Sequence, residues 1–297
     1  MRPIGIPLIG GLGNQLFQVA AGLVIHRETN REVEFLTSLL SGSRLGRVTP
    51  RKLAVQGLIG HQIRYDLNKI SLIRMGVQSV SDRNIWIHEK INSVSDMQKI
   101  SPKTTIVSGY FQSRTLVDSS KSEFLKLVSK SSRFKTLIDG EQENMITVHV
   151  RLGDKLSMKD QKLYGRTNPD YYLFGVQKLL EQSSYKKIVV VSDELNKAGT
   201  LLGEPLSNFG IPVEFVAGNS EIDDLSVLAK SRGVVMSCSS FSWWGGWFAS
   251  LRGMANVVVP VPWLKENSAV DSRMNYPAWQ EISKYSKGFA IENNELH

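Results

Sequence analysis

Ile146-Thr147-Val148-His149-Val150-Arg151-Leu152-Gly153-Asp154 reads as a strand running into a polar turn. Alternation sends Ile146, Val148 and Val150 to one face and Thr147, His149 and Arg151 to the other. His149 and Arg151 then stand at the C-terminal end of a strand, where open α/β sheets bind ligands. Gly153 predicts a tight turn that returns the Asp154 carboxylate towards them. A purely structural reading, a core histidine with an Arg-Asp pair that only holds the turn, stands beside the functional one. Further short apolar strands are expected at Ile4 to Ile9, Val33 to Leu36, Ile106 to Ser108, Ile188 to Val191, Val213 to Val216, Val234 to Met236 and Val257 to Val261. They alternate with helical stretches, which is the pattern of an α/β chain with parallel sheets. Asp118 to Ile138, with Leu125, Val128, Phe134, Leu137 and Ile138 set among basic residues, predicts an amphipathic structural helix. Asp139-Gly140-Glu141 then gives a polar break. Two Rossmann-like halves are expected, residues 1–140 and 141–297, with the crevice between them as the ligand site.

The chain has 297 residues, 41% hydrophobic and 22% charged, an ordinary globular balance that excludes disorder. A single cysteine, Cys238, excludes an intrachain disulfide and a Cys-rich metal site, and fits a reducing compartment. The longest nearly apolar stretch, Leu16 to Ile25, already contains Gln18 and falls short of the roughly 20 residues that cross a bilayer. Met1 to Gly13 is broken by Pro3, Pro7 and its glycines, and reads as a strand and loop in place of a signal peptide. These features give a cytoplasmic expectation. The net charge of +8 favours anionic partners, although a solvated basic surface alone would account for it. Nucleic acid is not expected, because no recognition-helix, zinc-finger or aromatic RNA-binding signature accompanies the scattered basic residues. Phosphate-bearing small molecules fit, as does peripheral contact with the inner membrane face through a lipid-linked glycan, aided by Arg44, Arg47, Arg51 and Lys52.

Two further motifs follow strands and open helices. Gly10-Gly11-Leu12-Gly13-Asn14-Gln15-Leu16-Phe17-Gln18 offers a glycine turn, a helix N-terminus and an amide pair, Asn14-Gln15, suited to phosphate oxygens or hydroxyls. Leu16 stands where a dinucleotide fingerprint would end in glycine, and this disfavours an NAD-dependent oxidoreductase. Ser237-Cys238-Ser239-Ser240-Phe241-Ser242-Trp243-Trp244-Gly245-Gly246-Trp247 presents hydroxyl and N–H donors for a second anion site, with at least two of the tryptophans expected in the core. No Asp-x-Asp pair occurs, the closest aspartates being the adjacent Asp223 and Asp224. No metal site is therefore expected, and cationic side chains with helix dipoles would neutralise a diphosphate.

Taken together and in order, Gly10 to Gln18, Gly109-Tyr110-Phe111-Gln112-Ser113, His149 to Asp154 and Ser239 to Trp244 resemble glycosyltransferase family 11, the α-1,2-fucosyltransferases. The resemblance implies a GT-B fold of two Rossmann-like domains, an acceptor-side N-terminal domain and a C-terminal domain for the donor. It implies inverting, metal-independent transfer of L-fucose from GDP-fucose, used as substrate with no cofactor, to a galactose 2-hydroxyl for surface polysaccharide or O-antigen. By the same likeness Arg151 holds the β-phosphate, Asp224 hydrogen-bonds guanine, and Ser239, Ser240 and Phe241 line the diphosphate. The loop of Gly11, Gly13, Asn14 and Gln15 closes over the donor from the other domain. Asp154 is the first candidate for the general base and His149 the second. Leu152 departs from the family pattern, which has a second arginine there. Cys238 replaces a common asparagine and Val19 a common aromatic. A catalytically silent nucleotide-sugar binder is the reading that Leu152 would favour.

Overall fold

The computed structural model describes residues 3–40, 50–59, 91, 93–133, 139–153, 165, 167–216, 220–253, 255–265 and 269–289, with 64–66 and 85–87 by backbone alone. Arg44, Arg47 and Asp154 lie outside the described residues. The chain divides into two compact units, Met1–Thr136 and Leu137–His297.

The first unit runs β1 (Ile4–Pro7), α1 (Leu12–Thr29), β2 (Val33–Leu36), α2 (Gln56–Ile59), β3 (Arg64–Asp66), β4 (Ile85–Ile87), α3 (Val94–Gln98), β5 (Ile106–Ser108) and α4 (Arg114–Val128). Its sheet has the order β3-β2-β1-β5-β4, with every pairing parallel. A parallel sheet needs both faces covered. α1 meets that need by being apolar nearly all round, with Leu16, Phe17, Val19, Ala20, Ala21, Val24 and Ile25 fully buried. It packs against α3 and α4. The helix stops at Asn30, whose φ of 52° is left-handed. α4 differs from the helix expected over 118–138: it starts at Arg114 behind its N-cap Ser113 and ends at Val128, and residues 134–138 lie outside the described residues. Leu116, Val117, Phe124 and Val128 form its buried stripe, so the apolar face sits earlier than the basic-rich window suggests.

The second unit runs β6 (Glu143–Val150), α5 (Pro169–Leu180), β7 (Lys187–Ser192), α6 (Leu195–Ser207), β8 (Val213–Val216), α7 (Glu221–Lys230), β9 (Ser231–Val235), α8 (Ser240–Ser250), β10 (Asn256–Val261), α9 (Ala269–Met274) and β11 (Gln280–Ser283). Its parallel sheet is ordered β11-β10-β9-β6-β7-β8. The alternation read in β6 is realised. Ile146, Val148 and Val150 join Tyr171, Val176 and Leu179 of α5 and Ala198, Leu202 and Leu206 of α6 in one core. Met145 meets Val189 and Val191 on the other face, where Thr147 Oγ1 and Ser231 Oγ lie 2.5 Å apart.

Both sheets put their first strand in the interior. β1 is followed outward by β2 and β3, β6 by β7 and β8, and the chain then crosses to the other side of that first strand. The topological switch point falls between β1 and β5 in one unit and between β6 and β9 in the other. Crevices at the C-terminal ends of such strand pairs are where doubly wound sheets take ligands. The four motifs singled out in the sequence follow these four strands.

Candidate functional site

At the switch point of the second unit the chain leaves β6 through His149, Val150 and Arg151 and leaves β9 through Met236 to Ser239. His149 is 4% exposed. Its Nδ1 lies 2.7 Å from Ser237 Oγ and its ring centroid 5.2 Å from that of Phe241. The histidine thus ties the end of β6 to the turn that opens α8. That placement suits an anchor and leaves its ring little access to solvent.

Arg151 lies half-buried one residue beyond the strand, and its Nε lies 3.2 Å from Asp193 Oδ2. Register explains the pair: Val150 is opposite Ser192 in the β6–β7 ladder, so the residues that follow emerge side by side. Asp193 also accepts the backbone N–H groups of Leu152, at 2.9 Å, and Gly153, at 3.0 Å. One carboxylate therefore sets the arginine and closes the turn behind it. A Cβ at Gly153 would stand 2.6 Å from Asp193 Oδ2, so any larger residue there would have to displace the carboxylate. Asp154, the carboxylate expected at this turn, lies outside the described residues, and Asp193 was not singled out in the sequence. The available signal was an acidic residue directly after an apolar strand, at the same sheet edge as Arg151. Leu152 packs against the core shared by β6, α5 and α6.

α8 begins at the same edge. Ser239 is its N-cap and accepts the Phe241 N–H at 3.3 Å, while the Ser242 hydroxyl donates to the Ser237 and Ser239 carbonyls at 2.9 and 3.0 Å. Ser239, Ser240 and Phe241 are half-buried. All three tryptophans are core: Trp243 and Trp244 are fully buried, Trp247 is 3% exposed, and each neighbouring pair meets edge to face. They anchor the helix whose N-terminus faces the site. The first turn of α8 holds no acidic residue, whereas that of α7 holds Glu221, Asp223 and Asp224. The partial positive charge at a helix start is thus offset by side chains in α7 and not in α8. Asp223 completes the α7 cap with Ser220, and Asp224, one position on, is half-buried on the next face.

Beside Arg151 the described residues line a cavity of about 400 Å³, whose walls include Val150, Leu152, Thr167, Asn168, Tyr172, Ser237, Cys238, Tyr285 and Lys287. Cys238 is buried with its Sγ 3.9 Å from the Pro262 carbonyl. Lys284, in the turn after β11, is also buried: its Nζ donates to the Trp263 carbonyl at 3.4 Å, and burial pushes its pKa below the ordinary lysine value.

The switch point of the first unit gathers the other two motifs. Gly10 has φ +80°, and a Cβ there would lie 2.3 Å from Asn14 Nδ2, so only glycine lets Asn14 fold over the loop. Gly11 and Asn14 are half-buried, whereas Gly13 and Gln15 are buried. Gln15 donates to the Gly10 and Lys52 carbonyls and accepts from the Val55 N–H, so its amide binds the glycine loop to the 52–55 segment. Buried in these three bonds, Gln15 is a clamp in the described fold, whereas the sequence paired it with Asn14 to orient hydroxyls or phosphate oxygens. Gln18, which the sequence did not single out as a site residue, is a second clamp, accepting from Ile9 and donating to Gly109.

The motifs thus sit where two tandem Rossmann-like units, the make-up of the GT-B class, are built to hold ligands. The O-antigen biosynthesis glycosyltransferase WbnK of Escherichia coli is 25% identical over 92% of this chain and 98% of that protein. An alpha-1,2-colitosyltransferase of Escherichia coli is 23% identical over 93% and 98%. Among solved structures, the fucosyltransferase NodZ from Bradyrhizobium matches with a TM-score of 0.47 and 14% identity, covering 82% of this chain and 92% of that one. The model of glycosyl transferase family 11 matches residues 83–282, more than half of the chain, and the protein belongs to that family of glycosyltransferases.

Proposed function

We propose that the protein transfers L-fucose from GDP-β-L-fucose to the 2-hydroxyl of a galactose in a surface-polysaccharide or O-antigen glycan, with inversion at C1 and without a metal ion. The observation that carries the proposal is the juxtaposition of Arg151, fixed by Asp193, with the acid-free N-terminus of α8 at the β6–β9 switch point. Breaking the bond from the sugar C1 to the phosphate oxygen leaves positive charge on the ring and negative charge on GDP. A guanidinium held in one rotamer and a helix start aimed at one place stabilise that charge without reorganising, an arrangement in which one donor is typically worth about 10²- to 10³-fold in rate. Ser239, Ser240 and Phe241 line the diphosphate, and Asp224 takes the guanine edge. His149 serves in this reading as the anchor of the Ser237 turn. Asp154 is the proposed general base, taking the proton of the attacking hydroxyl.

A second donor is favoured by one of the relatives. Colitose is L-fucose without its 3-hydroxyl, and a 23% identical protein is an alpha-1,2-colitosyltransferase. Incubation with GDP-fucose or GDP-colitose and a β-galactoside, in excess EDTA, tests both the donor and the metal-free mechanism. An α-1,2 product from GDP-fucose is expected, identified by its NMR linkage signals. No transfer from GDP-fucose, or activity that returns only with a divalent ion, would reject the proposal.

A further inference from the structure

Tyr110 is one of three large hydrophobic side chains exposed among the described residues, at 39%, and its neighbours hold it outward. On one side Gly109 is buried with its carbonyl bonded to Gln18 Nε2 at 2.8 Å. On the other, Phe111 is 1% exposed and adopts φ +50°, a left-handed conformation that a bulky residue rarely takes. Gln112 Nε2 then donates to Asn14 Oδ1 at 2.9 Å, and Ser113 is fully buried as the α4 N-cap. The chain therefore buries Phe111 at a cost in backbone strain and turns Tyr110 out beside a fixed amide. Strain of this kind persists where the surroundings over-determine it, and it clusters at ligand sites.

We infer that Tyr110 and Gln112 form the platform for the acceptor sugar at the β1–β5 switch point. The inference rests on the proposed function for which sugar that is. A pyranose has an apolar C–H face and a rim of hydroxyls. An exposed aromatic ring matches the face, and an amide whose NH₂ is already held by Asn14 turns Oε1 to a hydroxyl. Tyr110, Gln112 and Asn14 are neutral, as suits an uncharged glycan. A ring held at both ends of its loop loses little freedom when a ligand stacks on it.

Lactose serves as the probe. Tyr110→Ala is expected to raise the lactose KM about tenfold, the order expected for losing a stacking partner, while Tyr110→Phe stays close to wild type. The GDP-fucose KM, acceptor-free hydrolysis of GDP-fucose and the melting temperature should be unchanged in both. Saturation-transfer NMR of lactose with GDP present reads the same contact without turnover, so a failure of the fucose-transfer reading leaves this arm standing. An unchanged lactose KM in Tyr110→Ala, a loss on the donor side, or no lactose contact in the wild type would overturn the inference.

Discussion

Asp193 does two things with one carboxylate, and the two can be separated by substitution. Asp193→Asn keeps the size and an acceptor for the turn but removes the charge that fixes Arg151. Turnover should fall about tenfold, on the scale of one charge-assisted hydrogen bond, with a small change in melting temperature. Gly153→Ala puts a Cβ 2.6 Å from the same oxygen and should show the same kinetic defect. Steady-state kinetics of the two variants check this, and unaltered turnover in either would contradict the pairing. Leu152 is the complementary case. Its half-buried side chain packs against the core of β6, α5 and α6, so Leu152→Arg would lose that packing and set a charge against apolar groups. The expected outcome is a lower melting temperature and no gain in rate. A variant that melts normally and turns over tenfold faster would place residue 152 in the donor site.

At the scale of elements, α7 carries its cap and the proposed guanine partner on adjacent residues. Asp223 closes the cap with Ser220, and the proposed function gives Asp224 the guanine edge. Asp224→Asn should therefore weaken GDP and GDP-fucose by the same factor in calorimetric titration; a loss confined to GDP-fucose would put the residue at the sugar instead. Lys284, buried after β11, tests the other end of the unit. Burial lowers its pKa, so the folded protein releases this proton at a lower pH than the unfolded chain does. Between that lowered value and the ordinary 10.5 the unfolded state binds more protons, and Lys284 makes stability rise with pH. Urea melts of wild type and Lys284→Met between pH 8 and pH 10 should diverge in that direction, and parallel curves would show that the lysine is not desolvated. The elements most legible in the sequence were the apolar strands: β2, β5 and the edge strand β8 match the expected apolar runs, and β6 extends three residues further back. β3, β4 and β11 were not anticipated, and each is a three- or four-residue strand on an outer edge of its sheet. In Gln280-Glu281-Ile282-Ser283 only one residue is apolar, so the ladder and not the side chains makes the strand.

For the whole molecule, two parallel sheets each place their first strand inside, and this topology brings motifs more than 80 residues apart to one edge, as the contact of His149 with Ser237 shows. The motifs were legible in the sequence because each lies at the end of an apolar run. It did not reveal that Gln15 faces inward, nor that Asp193 is the partner of Arg151, since both facts depend on packing and strand register between distant segments. The central claim is that Arg151, at the β6–β9 switch point, holds the diphosphate of GDP-fucose. Calorimetric titration of GDP-fucose into the wild type and a folded Arg151→Ala variant, with GDP-mannose, UDP-galactose and NAD as competitors, tests it most directly. The account predicts selective binding of GDP-fucose by the wild type and a loss of about tenfold or more in the variant, the value of one charge-assisted hydrogen bond to phosphate. Equal affinity in both proteins, or a preference for NAD or UDP-galactose, would contradict it.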